Sequence, residues 1–190
     1  MNAGTDTTDA TIQRVAVVLV MLNSVSTAMM LTGDNVALPQ MALELELDAV
    51  TLSWIPMSYL MASAVCVLSF GRLADMYGRK RIYLLGTLGV VVTSIFTGLA
   101  QSETQLIIGR LCQGMASAMV FSTNVAIISS VFPPARRGTA IGYTVSAIYL
   151  GLSLGPMAAG WLVEFVSWRA AFFIHVPLAL VVLYIGLTRL

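Results

Sequence analysis

The sequence predicts an all-α membrane protein: six transmembrane helices in one bundle, with both termini on the cytoplasmic side. Three observations carry this expectation. Of the 190 residues, 10% are charged and 58% are hydrophobic, whereas a soluble domain is about one quarter charged. The charges are also segregated, because residues 15–33, 49–71, 82–102, 111–135, 138–163 and 170–188 contain no Asp, Glu, Lys or Arg. Each run is long enough to cross a bilayer as a helix, which takes roughly 20 apolar residues. Finally, the flanking charges alternate in sign. Arg14, Arg72, Arg79, Lys80, Arg81, Arg136, Arg137 and Arg189 fall on one side, and Glu44, Glu46, Asp48, Glu103 and Glu164, with Arg169, on the other. The positive-inside rule makes the basic side cytoplasmic. An open sheet is excluded, since backbone in lipid must satisfy its own hydrogen bonds.

The elements follow in order. Residues 1–12 are polar and mildly acidic, without the basic start of a signal peptide, and read as a disordered cytoplasmic tail. The first helix, 13–41, is the most polar of the six, with Asn23, Ser24, Ser26, Thr27, Thr32, Asp34 and Asn35. The second spans 51–72, with Trp54 and Tyr59 near its outer end, and the third 81–101. The fourth, 104–131, carries Arg110 and stops at Pro133-Pro134; the fifth spans 137–163 and the sixth 168–189. Connections this short leave no room for a second domain. No phosphate-binding loop of the GxxxxGKS kind is present, so an ATP-driven pump is not expected from this chain. No nucleophile–base set appears either, and an enzyme is not expected. Cys66 and Cys112 both fall inside helices, which suggests neither a disulfide framework nor a metal site. The basic residues hug the helix ends, a topology signal rather than a nucleic-acid surface.

Between the second and third helices, GRLADMYGRKR places Asp75 among Arg72, Arg79, Lys80 and Arg81, with Gly71 and Gly78 permitting close approach and a tight turn. Asp75 is suited to an ion pair or a helix cap. The plain alternative is that such a cluster only fixes topology, and that alternative fits Lys80 and Arg81 best.

GRLADMYGRKRI resembles the loop signature of the major facilitator superfamily, departing at Met76, where the family usually has a base. LIIGRLCQGMASA resembles the superfamily's helix 4 pattern and places its membrane arginine at Arg110, with Gln113 and Gly114 beside it. GLSLGPMAAG resembles the helix 5 antiporter signature, carried here by Gly151, Gly155, Pro156 and Gly160, with Ala159 replacing a glycine. SWRAAFFIHVPLAL and NVALPQM resemble the starts or ends of helices in the 14-helix drug:proton antiporter subfamily, with His175 where that group tends to have Asn. That subfamily usually has an acid at the position held by Met30; Asp34 lies one turn further along the same face.

The resemblance implies one half of a major facilitator fold, built from two three-helix repeats, in the cell membrane. It implies proton-coupled antiport, the efflux of amphipathic drugs or similar small molecules, powered by a proton gradient without a cofactor. Charges in hydrocarbon are costly and mark function by default, so Asp34 and Arg110 are the expected proton-coupling pair, with a static ion pair as the alternative. Counting 1.5 Å per residue from each helix midpoint puts them at depths of about 9 and 12 Å towards the outside, close enough to pair. Gly71, Asp75, Gly78 and Arg79 are expected to form a conformational latch. Met30, Asn35, Gln113, Gly114 and Met115 are candidate substrate-cavity residues; Met29, Met119 and Met157 could add soft apolar wall, with plain helix packing as the commoner case. His175 could relay protons, though a hydrogen-bonded spectator is the commoner case. The family normally has two six-helix halves, so a second copy of the chain is the expected partner, with Gly151, Gly155 and Pro156 in the seam between copies. The alternatives are a truncated piece of a longer carrier, a carrier for one metabolite, or a membrane subunit that does not transport.

Overall fold

The computed structural model describes residues 3–189, with side chains over 13–189. The chain forms α1 (Ala3–Glu44), α2 (Ala49–Tyr77), α3 (Arg79–Gly98), α4 (Glu103–Val131), α5 (Pro134–Phe165), α6 (Trp168–Phe173) and α7 (His175–Arg189). Six spans are long and apolar enough to cross a membrane, the last of them being α6 and α7 taken together. The expected tail, residues 1–12, lies outside the residues whose side chains are described.

The helix starts have identifiable causes. Asp48 caps α2, its carboxylate accepting from the Thr51 amide at 2.7 Å, and this bond holds the Asp48 carboxyl below its ordinary range. Ser102 and Ser167 cap α4 and α6 in the same way. The second helix runs on to Tyr77, past the expected end at Arg72. Charges on it beyond Gly71 do not stop a helix that has left the hydrocarbon. The whole α2–α3 connection is Gly78, at φ 99°, whose amide donates to Ala74 O at 3.0 Å. Only glycine adopts that backbone freely. The sixth span breaks at Ile174, three residues before Pro177, because proline cannot supply an amide to the preceding turn.

Packing follows an exchange symmetry. α1 packs on α5 as α4 packs on α2, and α1 packs on α6 and α7 as α4 packs on α3. Swapping the first three spans for the last three reproduces the pairing, so the bundle is two three-helix repeats. α1 and α4 lie at the centre; α2 and α5 are the least covered spans. Three apolar clusters stack along the bundle. One, around Leu19, Tyr83 and Ile128, sits at the arginine-rich end; one, around Met41, Ile55 and Phe172, at the acidic end; Met30, Tyr59, Val90 and Ala116 lie between. Large apolar side chains such as Val65, Leu68 and Leu88 remain exposed on the outside, as a surface solvated by lipid requires.

At the acidic end Trp168 Nε1 donates to Glu44 Oε2 at 2.6 Å, and Arg169 bonds both Glu44 and the Ala100 carbonyl. This ties the ends of α1 and α3 to the start of α6.

Candidate functional site

The structure brings Asp34 and Arg110 together. They face each other across α1 and α4, 2% and 1% exposed, and Arg110 Nη1 donates to Asp34 Oδ2. The same nitrogen donates to Gln113 Oε1 at 2.7 Å, one turn along α4. Gln113 Nε2 in turn donates to Ser94 Oγ on α3 at 2.9 Å. Arg110 Nε points to the Ile55 carbonyl on α2 at 3.4 Å, and its guanidinium lies 4.7 Å from the centre of the Tyr59 ring. One arginine therefore links four helices. Oδ1 of Asp34 has no hydrogen-bond partner among the described residues.

Two buried charges cost several kcal/mol each in lost hydration, and only a close partner with further hydrogen bonds offsets this. Here the arginine has three acceptors, Asp34, Gln113 and the Ile55 carbonyl, while one oxygen of the carboxylate has no partner among the described residues. Chemically, the pair is a place where a proton can be taken up on one oxygen while the other stays on the guanidinium.

The predicted cavity residues are engaged or placed otherwise. Met30 is sealed in the central cluster. Gln113 belongs to the polar chain, and Gly114 lies against α2, where an added Cβ would collide with Tyr59 O. Asn35 is exposed and donates to Leu31 O on its own helix. Met115 is exposed on α4. None of the five lines the cavity that does open between α1, α4 and α5, of about 270 Å³. Its polar lining is Ser24, Thr27, Asn124 and Thr144; Phe121 and Leu31 are among its apolar walls. Ser24 and Thr27 were visible as polar residues in a membrane helix. Which of the polar residues share a cavity was not.

His175 is buried at the α6–α7 break, with Nε2 unpartnered among the described residues. Its neighbour Phe172 lies 6.0 Å from the Arg110 guanidinium. No hydrogen bond joins His175 to the Asp34–Arg110 pair among the described residues.

In the glycine-flanked loop, Arg79 donates to Asp75 Oδ1 from Nε at 3.2 Å and Nη2 at 3.1 Å, and from Nη1 to Ala126 O on α4 at 3.0 Å. Asp75 is thus an ion-pair partner within the helical register, one turn before Arg79, and not a cap. Gly71 faces α4 loosely, its added Cβ meeting Ser122 at an ordinary 3.8 Å.

The helix 5 motif is placed differently from expectation. A Cβ at Gly151 would come 2.5 Å from Val25 O, and one at Gly155 would collide with Thr32 Oγ1. Both glycines are therefore filled by α1 of the same chain, and a seam between copies cannot use them. Small residues mark close approach; they do not say which helix approaches. Pro156 is exposed, and Gly160 meets Val36 at 3.8 Å.

Comparison with known proteins agrees with this architecture. The family model described as Major Facilitator Superfamily matches residues 20–190. The chain is 36% identical over 154 residues to the multidrug resistance protein Stp of Mycobacterium tuberculosis, covering 80% of this chain and 29% of Stp. It is 33% identical over 155 residues to the tetracenomycin C resistance and export protein of Streptomyces glaucescens, covering 82% of this chain and 29% of that protein. With the probable actinorhodin transporter of Streptomyces coelicolor it shares 34% identity over 156 residues, 80% of this chain and 27% of the other. The chain thus spans under a third of the length of these curated relatives.

Proposed function

The chain belongs to the Major Facilitator Superfamily, a multi-pass integral protein of the cell membrane, and from that premise we propose that it exports amphipathic small molecules in exchange for protons. The observation that carries the reading is the buried Asp34–Arg110 pair with one free carboxylate oxygen. The names of its relatives, resistance and export proteins among them, support the direction of transport.

The coupling follows from charge. With Asp34 ionised, the pair is neutral overall and stable in the closed interior. A proton on Oδ1 leaves Arg110 as an uncompensated charge in low dielectric, and removing one partner of such a pair costs about 3–5 kcal/mol. The conformation that buries the pair is thereby disfavoured, and one that exposes Arg110 to water is favoured by the same difference. Release of the proton on the other side restores the pair. Gln113, Ser94 and Tyr59 keep the guanidinium oriented while its partner changes state. The Asp75–Arg79 staple holds the arginine-rich end, which the positive-inside rule assigns to the cytoplasm.

A single bundle walls a substrate on one side, so the activity needs a second bundle facing α2 and α5. We assign that place to a second copy, related by a twofold axis along the membrane normal. A further segment of a longer carrier is the competing source, and native mass spectrometry from lipid nanodiscs decides between them: twice the chain mass supports the dimer, a single mass excludes it.

The function itself is tested in proteoliposomes with an imposed pH gradient. Uphill movement of an amphipathic dye that collapses with the gradient is the expected result. Movement that ignores the gradient overturns proton coupling, and none at all overturns export by this chain alone.

A further inference from the structure

At the arginine-rich end another cavity, of about 530 Å³, opens between the start of α1 and the start of α5. Arg14 lines it from α1, and Arg136, Thr139 and Tyr143 from α5. Their neighbours Gln13 and Arg137 are spent on the carbonyls of Val131 and Phe132, at 3.1 and 2.9 Å. Among the described residues, the side chains of Arg14, Arg136, Thr139 and Tyr143 have no such partner; Thr139 lacks even the bond to its own helix that Thr27, Thr87 and Thr144 make. No Asp or Glu lines the cavity, and Asp75, the carboxylate described at this end, is held by Arg79. Four donors without an acceptor, two of them permanently charged, call for an anion. We propose that this cavity binds the phosphate of an anionic phospholipid. The proposal does not depend on the export reading.

Depth and wall chemistry favour a lipid over a dissolved anion. Arg14 immediately precedes the charge-free run 15–33, and Arg136 and Arg137 immediately precede 138–163, so the cavity lies where hydrocarbon gives way to headgroups. The rest of its wall is apolar, formed by Val17, Val18, Phe132 and Ala140. Tyr143 shares a face of α5 with Leu154 and Trp161, and those two line an apolar groove against α6. That face is not the one turned to the α1–α4–α5 cavity, whose α5 wall is Thr144, Ile148 and Leu152. α5 packs on α6 but not to any extent on α7, so an acyl chain can lie along α5 while its phosphate sits on the arginines. A free phosphate ion would gain nothing from the apolar wall. A choline headgroup would bring its own cation to a place that already holds two, so a net-negative headgroup is preferred. The positive-inside rule accounts for bases at helix ends; it does not require bases from two helices to converge on one cavity.

Native mass spectrometry of the purified full chain in detergent, titrated with one phospholipid at a time, tests this. Dioleoylphosphatidylglycerol should be retained saturably and more tightly than dioleoylphosphatidylcholine. Arg14→Gln and Arg136→Gln should each weaken its binding about fivefold, the effect of one base beside an anionic lipid. Arg136→Lys, which keeps the charge, should bind nearly as wild type. Lys80→Gln removes a base from the same end but outside the cavity, and should change nothing. Val18→Trp fills the cavity with every charge in place, and should weaken binding at least as much as the loss of one arginine. Inorganic phosphate in excess should not displace the lipid. Equal binding of the two lipids overturns the proposal. So does an equal loss in Lys80→Gln and Arg14→Gln, or full binding by Val18→Trp, since either result leaves only diffuse attraction to a basic surface. Displacement by inorganic phosphate would give the cavity to a dissolved anion and overturn the lipid assignment.

Discussion

Thr32 of α1 reaches towards the carbonyl of Leu152 on α5, 3.4 Å from Oγ1 to O, and that carbonyl is the one Pro156, four residues on, has no amide to satisfy. The hydroxyl is shared with Ala28 O of its own turn at 3.1 Å. The contact is possible because Gly155 lets the two backbones meet. The proline and glycine of the helix 5 motif thus act as one device, an opened helix turn mated to a neighbouring helix.

Gly155→Ala should therefore loosen the chain itself. The added methyl would collide with Thr32 Oγ1 and with the Met29 backbone, and overpacking of this kind costs about 1–3 kcal/mol. Thermal unfolding in detergent should show a lower midpoint, with no change in the number of chains per particle. An unchanged midpoint combined with loss of a dimer would return Gly155 to an interface between copies.

Arg110→Lys should be nearly as damaging to transport as loss of the side chain. The guanidinium serves Asp34, Gln113 and Ile55 O at once and lies over Tyr59, and a single ammonium cannot reproduce that fork. Proton-driven flux should fall by at least tenfold while the purified protein remains folded. Flux within twofold of wild type would reduce Arg110 to a point charge.

Asp75→Asn should slow turnover far more than it lowers stability. The Asp75–Arg79 pair is largely exposed, and exposed pairs contribute about 0–1 kcal/mol to folding. A latch that biases two conformations acts through a coupling of about 1–3 kcal/mol. Rapid-mixing kinetics should show a five- to hundredfold lower exchange rate at unchanged substrate affinity. An unchanged rate would leave the cluster with topology alone.

An uncharged substrate makes the exchange electrogenic, because each inbound proton then carries net charge. A membrane potential alone, negative inside and with equal pH on both faces, should drive an uncharged amphipathic substrate out of potassium-loaded vesicles treated with valinomycin. The available drive is about 2.3 kcal/mol per charge per 100 mV. Indifference to the potential would show that the moving substrate compensates the proton's charge.

Six spans were legible because a charge-free run of bilayer length is rare outside a membrane helix. The Asp34–Arg110 meeting was legible from depth, since two rare charges at matching heights have strong reason to pair. Three features were not. The extension of α2 to Tyr77 was hidden because charge marks where the hydrocarbon ends, not where a helix does. The seat of Gly151 and Gly155 was hidden because a small-residue stripe is the same whichever helix fills it. The Ser24–Asn124 cavity was hidden because both the lipid face and the bundle interior are apolar, so periodicity does not tell one from the other.

Substrate-evoked proton movement tests the central claim most directly. Vesicles containing the chain and a trapped pH indicator are given substrate on one side without any imposed gradient, and luminal pH is followed for wild type and Asp34→Asn. The substitution keeps the side chain's shape and removes the titrating group. Wild type should shift luminal pH in step with substrate movement, whereas Asp34→Asn should exchange labelled for unlabelled substrate with no pH change. A full pH response from Asp34→Asn would contradict the account, because the proton would then be travelling on another group.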